Sequence, residues 1–145
     1  MRNAALERLE ALQGRWSLTL SDAWFLEPRD TVVHGHATVA WLDDAFVHLR
    51  SELGGEPAWD LVIGHSDANA QYVVLYHDDR GVARVFDMVF GDGRWEWSRA
   101  DPDFHQRFVS EVADGRITGR AEASEDGGAT WRKDFDLIFE RQTGG

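Results

Sequence analysis

Arg84-Val85-Phe86-Asp87-Met88-Val89-Phe90-Gly91-Asp92-Gly93-Arg94-Trp95-Glu96-Trp97-Ser98 carries apolar side chains at alternate positions on both sides of an Asp-Gly pair. Successive side chains of a strand point to opposite faces, and Asp-Gly is favoured where both central residues of a two-residue hairpin turn need positive φ. Folding the stretch back at Asp92-Gly93 sets Gly91 opposite Arg94, Phe90 opposite Trp95 and Met88 opposite Trp97. Phe86, Met88, Phe90, Trp95 and Trp97 then share one apolar face, with Arg84 farther along it. Asp87, Glu96 and Ser98 fall on the other face.

The same reading extends outward. Folding at Asp114-Gly115 groups Phe104, Gln106, Phe108, Val112, Ile117, Gly119 and Ala121 on one face, and His105, Arg107, Glu111, Arg120 and Glu122 on the other. Period-two segments separated by turn clusters predict strands near 15–21, 31–42, 45–53, 58–65, 70–77, 82–90, 94–99, 104–113, 116–124 and 130–141. Asp43-Asp44, Asp78-Asp79-Arg80-Gly81 and Asp126-Gly127-Gly128 are further hairpin candidates, and Pro28, Pro57 and Pro102 all lie outside the predicted strands. Leu6, Leu9 and Leu12 recur at helical spacing ahead of Gly14, which predicts one short amphipathic helix over about residues 4–13. The expected fold is all-β, a roughly ten-stranded antiparallel up-and-down β-barrel spanning about 15–141, with 1–145 as one domain.

Composition narrows the function classes. Lys plus Arg number 15 and Asp plus Glu 26, so the formal charge is −11, which repels phosphate backbones and anionic headgroups and argues against nucleic acid and membrane surfaces as partners. No cysteine is present, so disulfides, thiolate metal sites and a Cys nucleophile are excluded. The charged opening Glu7-Arg8-Leu9-Glu10 does not read as a secretory signal, and the expected location is cytoplasmic. Seven Trp and eight Phe are a large aromatic payload for 145 residues, fit either for a dense core or for the wall of an apolar pocket.

Leu12-Gln13-Gly14-Arg15-Trp16 resembles the start of a calycin, the superfamily of lipocalins, fatty-acid-binding proteins and nitrobindins. The resemblance implies that a short helix leads into a first strand carrying Gly-x-Trp, whose Trp closes the barrel base against an Arg of the last strand. Arg141 is placed to be that Arg. Phe25-Leu26-Glu27-Pro28, Arg50-Ser51-Glu52, Phe104-His105-Gln106-Arg107-Phe108 and Asp126-Gly127-Gly128-Ala129-Thr130-Trp131 resemble an uncharacterised bacterial family of small calycin-like barrels. So does the run from Leu75 to Phe86. This resemblance spans nearly the whole chain and implies the fold; it implies no activity.

His34-Gly35-His36 offers two imidazoles to one side of a strand, but a two-residue loop at Asp43-Asp44 would set His36 opposite Ser51 and His34 opposite Leu53, neither a good ligand, so no metal is expected. Haem, held by an axial His in nitrobindins, is implied only by the resemblance; His48, His65, His77 and His105 are the candidate ligands, and no cofactor is expected. Glu52, Asp60, Asp78, Asp87, Asp134 and Asp136 are candidate bases. Arg50, Arg84 and Arg107 sit among apolar neighbours, where an interior Arg needs a carboxylate or a ligand anion. Arg107 is expected to pair with Glu122, and Arg84 to face the interior.

The expected function is binding of a small, largely apolar organic molecule in the barrel interior, by Arg84, Phe86, Met88, Trp97, Tyr76 and Arg50. An enzyme of the cyclase, isomerase or hydratase kind using the same cavity, a haem-binding nitrobindin-like barrel, and an interaction domain filled with its own aromatics are the alternatives. A small-molecule ligand is the expected partner, and a homodimer is a candidate assembly.

Overall fold

Turn chemistry and alternation produce a closed barrel of ten antiparallel strands in the computed structural model, which describes residues 3–143. The strands are β1 (Gly14–Ser21), β2 (Val33–Leu42), β3 (Phe46–Leu53), β4 (Glu56–Ser66), β5 (Gln71–Asp78), β6 (Ala83–Gly91), β7 (Arg94–Ala100), β8 (His105–Ala113), β9 (Arg116–Ser124) and β10 (Arg132–Arg141). Each pairs with its sequence neighbours, and β1 pairs with β10 to close the sheet. The β6–β7 and β8–β9 registers are those expected from their Asp-Gly turns, with Met88 opposite Trp97 and Val112 opposite Ile117. Asp92 stands at φ 54° and Gly93 at φ 75°, the left-handed pair such a turn requires.

The β2–β3 connection differs from expectation. Leu42 pairs with Phe46, so Asp43, Asp44 and Ala45 form a three-residue loop, with the Ala45 N–H donating to the Leu42 carbonyl. A one-residue slip exchanges the two faces of a strand. Val47, Leu49 and Ser51 are consequently the inward residues of β3, His36 lies opposite Glu52, and Arg50 faces out. The burial of Val47 and Leu49, at most 1% exposed, outweighs the turn preference of two adjacent aspartates.

One end of the barrel is filled. The predicted helix appears as α1 (Ala4–Glu7) followed by a 3₁₀ turn over Arg8–Leu12, with Asn3 capping α1 by accepting from the Leu6 N–H. Leu6, Leu9 and Leu12 are buried against the barrel end, and the Tyr72 hydroxyl donates to the Ala5 carbonyl at 2.5 Å. Trp16 is 1% exposed, its indole N–H donates to the Leu12 carbonyl at 3.0 Å, and the Arg141 guanidinium lies 4.3 Å over its ring. Arg141 also donates to the Gln13 and Ala11 carbonyls, tying the last strand to the plug. Gly14 makes this fit possible: it stands at φ 123°, and a Cβ there would lie 2.9 Å from Arg141 Nη1.

Candidate functional site

The other half of the barrel is open. A cavity of about 600 Å³ is bounded by inward residues of β1 and of β3 to β10 together with the β1–β2 loop. Its apolar wall includes Leu20, Trp59, Phe86, Trp97, Phe108 and Phe135. Alternation places them there: each is an inward position of its strand, and Phe86, Trp97 and Phe108 are neighbours across the β6–β7–β8 ladder. The Phe86 and Phe108 rings lie 5.0 and 5.2 Å from the Trp97 ring, within the range of favourable aromatic contact.

Three arginines, Arg80, Arg84 and Arg107, line the cavity, and a fourth, Arg99, reaches Gln106 from beside it; their electrical situations differ. Arg80 is bound to Asp78 through Nε at 3.1 Å and Nη2 at 2.6 Å. Arg107 is paired with Glu122 at 2.8 Å, as expected, and its guanidinium stacks 3.8 Å over Trp131. Arg99, whose side chain is 4% exposed, is held by Asp101 at 2.6 Å and Asp103 at 3.1 Å. Arg84 donates at 2.9 Å to the Gln106 side-chain carbonyl, which also accepts from Arg99 at 2.8 Å, and lies 5.4 Å from the Phe104 ring. Gln106 is neutral, so among the described residues no carboxylate is paired with Arg84.

Tyr76 lines the cavity with its ring, while its hydroxyl donates to Asp78 Oδ2 at 2.8 Å. Burial and that acidic neighbour push the phenol up to about 12. For Asp78 burial works upward, but the hydrogen bonds from Arg80 and Tyr76 and from the Arg80 and Val82 backbone outweigh it and hold the carboxyl at about 2. The pair is therefore a fixed donor and a fixed anion around neutral pH, and it anchors the β5–β6 turn at the edge of the cavity.

Tyr76, Arg84, Phe86 and Trp97 are thus brought together, and two other expected site residues are not. Met88 is 5% exposed in the packed part of the barrel, where its sulfur accepts from the Trp95 indole N–H at 3.2 Å. Arg50 is on the outer wall with 74% of its side chain exposed, near Asp60 at 3.5 Å. His48 and His77 flank the same carboxylate at 3.5 and 3.9 Å. His36 approaches Glu52 at 3.2 Å and His34 approaches Thr19 at 3.4 Å. Among the described residues no group of three or more His, Asp or Glu side chains is arranged to hold a metal ion. Haem does not fit the donor set, because among the described residues no imidazole lines the cavity: His65 packs its ring edge on Tyr72, and His105 opens β8. Of the candidate bases, Asp134 accepts from the Trp24 indole at 2.9 Å, Asp136 is held by Lys133 at 3.0 Å, and Glu52, Asp60 and Asp87 project from the outer wall.

The sequence reading missed the β1–β2 loop as part of the site. Trp24 and Phe25, each about half exposed, stand where the cavity meets the surface. The Phe25 ring sits edge-on 6.0 Å from Phe135, and the Trp24 N–H donates to the Asp134 carbonyl at 3.2 Å. Their sequence signals are an aromatic pair in a polar loop and, for Phe25, the Phe25-Leu26-Glu27-Pro28 run that carries part of the resemblance. Trp59 was also missed; it lies at a β-bulge where the Ser51 hydroxyl donates to its carbonyl at 2.6 Å and accepts from its N–H at 3.0 Å.

Neither the protein-family models nor the curated proteins give a match to this chain. Among solved structures it is similar to Rv2717c from M. tuberculosis, with a TM-score of 0.67 and 11% identity over 98% of this chain and 99% of that one. At that identity the likeness is one of barrel fold.

Proposed function

We propose that this protein is a calycin-like binding barrel that takes a small, largely apolar organic acid into its open half, with Arg84 receiving the acid group. One observation carries the reading. In a cavity of about 600 Å³ walled by aromatic side chains, Arg84 is the lining cation whose hydrogen-bond partner is a neutral amide, while the other lining arginines, Arg80 and Arg107, each hold a carboxylate. A part-buried guanidinium without a counter-ion costs free energy that an anionic ligand recovers. Gln106 fixes its direction without neutralising it. The volume and the apolar wall suit a drug-sized molecule with one charged end.

Native mass spectrometry of freshly purified protein reads out a retained ligand directly. Arg84→Met keeps most of the side-chain length and removes the charge. It is expected to weaken acids by about 1.5 to 3 kcal/mol, the usual range for hydrogen bonds to a charged group, and to leave neutral analogues of the same shape nearly unchanged. Equal binding of acids by wild type and variant, with a loss of stability in the variant, would make Arg84 a structural cation and end the proposal.

A further inference from the structure

Gln106 is the second residue of β8, two before Phe108 on the same face of the strand, and it borders the cavity. Its side chain holds two guanidiniums at once: Oε1 accepts from Arg84 Nη1 at 2.9 Å and from Arg99 Nε at 2.8 Å. A guanidinium has donors only, so the oxygen is the one atom of the Gln amide that can face it, and two such bonds use both lone pairs. That fixes the amide, with Nε2 on the branch turned away from the two donors. Among the described residues nothing accepts from Nε2, and the β9 residue opposite Gln106 is Ala123, whose methyl has no acceptor to offer. The nitrogen is not sealed in either. Among the described residues the buried side-chain polar atoms without a partner are His65 Nδ1 and Trp97 Nε1, so Gln106 Nε2 keeps accessible surface on a residue that lines the cavity.

We propose that Gln106 sets the charge class of the ligand, its amide N–H taking one oxygen of a carboxylate whose other oxygen goes to Arg84. The inference rests on the carrier reading above and deepens it: the acid group is gripped at two points, and Gln106 is the specificity-determining residue. Arg84 and the Gln106 nitrogen offer donors only, which suits an ionised carboxylate, an acceptor-only group, and gives an amine nothing to bind. A Gln side chain has the shape of a Glu without its charge, and here that difference decides the site. A carboxylate at position 106 would discharge Arg84 as Asp78 discharges Arg80 and Glu122 discharges Arg107. Arg99 has no need of one, because Asp101 and Asp103 already hold it. The neutral amide therefore ties two cations in place while leaving the one that lines the cavity available to an anion.

The test titrates a series of phenylalkanoic acids and their primary amides into the full-length protein, read by Trp fluorescence and by the side-chain ¹⁵N–¹H resonances of Gln106. In wild type the acid of best-fitting length should bind about tenfold more tightly than its amide and should shift those resonances. Gln106→Met removes the amide donor, keeps the Arg84 charge and should weaken the acid about tenfold. Gln106→Glu keeps the shape, supplies Arg84 with a counter-ion and should weaken the acid about a hundredfold, while the melting temperature holds or rises and the amide probe binds as before. A residue that only braces the two arginines would alter stability and leave acid binding alone. Where one variant fails to fold, the other variant and the wild-type resonances still decide. Acid binding unchanged by either substitution, or Gln106 resonances unmoved by saturating acid, overturns this inference and leaves the carrier reading to its Arg84→Met test. Failure of every acid to bind wild type overturns the carrier reading and this inference with it.

Discussion

Arg84 and Arg50 have the same side chain and similar apolar neighbours in sequence, yet one lines the cavity and the other is 74% exposed outside it. What separates them is strand register, which places Arg50 beside Asp60 and Arg84 opposite Tyr76. Trp16 marks the other extreme, a residue buried at the packed end: it is 1% exposed, edge-on to Phe139 at 6.3 Å and covered by Arg141 of the last strand. Trp16→Ala is expected to lower unfolding free energy by about 3 to 5 kcal/mol, measurable by urea denaturation, as large aromatic truncations in cores do. The Asp78 cluster makes a pH prediction. A carboxyl held at about 2 when folded and near its ordinary value when unfolded stabilises the protein above about pH 4 and loses that contribution as pH falls toward 2. Tyr76 has the opposite sign: with a folded value of about 12, its contribution is complete below pH 10 and fades as pH rises toward 12. Asp78→Asn should therefore flatten the stability profile between about pH 4 and 2, and melting temperature against pH would reveal whether it does.

At the scale of elements, the β8–β9 pair depends on a hole. Phe108 lies opposite Ala121, and a Cβ on Gly119 would meet the Phe108 ring at 2.3 Å. Gly119→Ala should destabilise by roughly 1 to 3 kcal/mol through overpacking, and the added Phe108→Leu should recover part of the loss. Recovery in a double-mutant cycle would tie the glycine to the ring rather than to backbone freedom. The β1–β2 loop is built differently. Its aromatics are half exposed, and it is anchored by Trp24 to Asp134 and by Arg29 to Asp22 at 2.8 Å. Replacing Trp24 and Phe25 by Ser should cost roughly 2 to 5 kcal/mol of global stability, since about half of each large ring is withdrawn from water there. The same double replacement should change ligand exchange rates in stopped-flow fluorescence if the loop frames the entrance.

For the whole molecule, closure governs behaviour. The pairing of Trp16 with Arg141 joins residues at opposite ends of the sheet-forming chain, so the last ladder forms only against a large loop-closure entropy. Slow folding, on the millisecond-to-second scale or longer, is expected in stopped-flow measurements. Tryptophans sit at the packed end, on the cavity wall and in the loop at the mouth, so their fluorescence samples the barrel along its length. Fluorescence and far-ultraviolet circular dichroism should give coincident urea transitions if the barrel unfolds as one cooperative unit. Two separated transitions would divide the packed half from the open half.

The strands, the Asp-Gly registers and the helical plug were legible in the sequence because each depends on contacts close along the chain, whereas the Gly-x-Trp base, closed by Arg141 of the last strand, was expected from the resemblance. Alternation, turn residues with positive φ and a recurring Leu spacing are local signals, and hairpin pairing propagates them from one strand to the next. The Tyr76, Arg84, Phe86 and Trp97 side of the cavity was legible for the same reason, since one hairpin and its neighbour carry it. Only the tertiary structure decided that β3 is shifted by one residue, that Met88 is packed away from the cavity, and that Trp24, Phe25, Trp59 and Phe135 complete the site. Those outcomes depend on which strands meet across the closed sheet and on how much of the interior side chains from distant strands fill. Volume filling is a property of the assembled barrel, and no local pattern of residues encodes it.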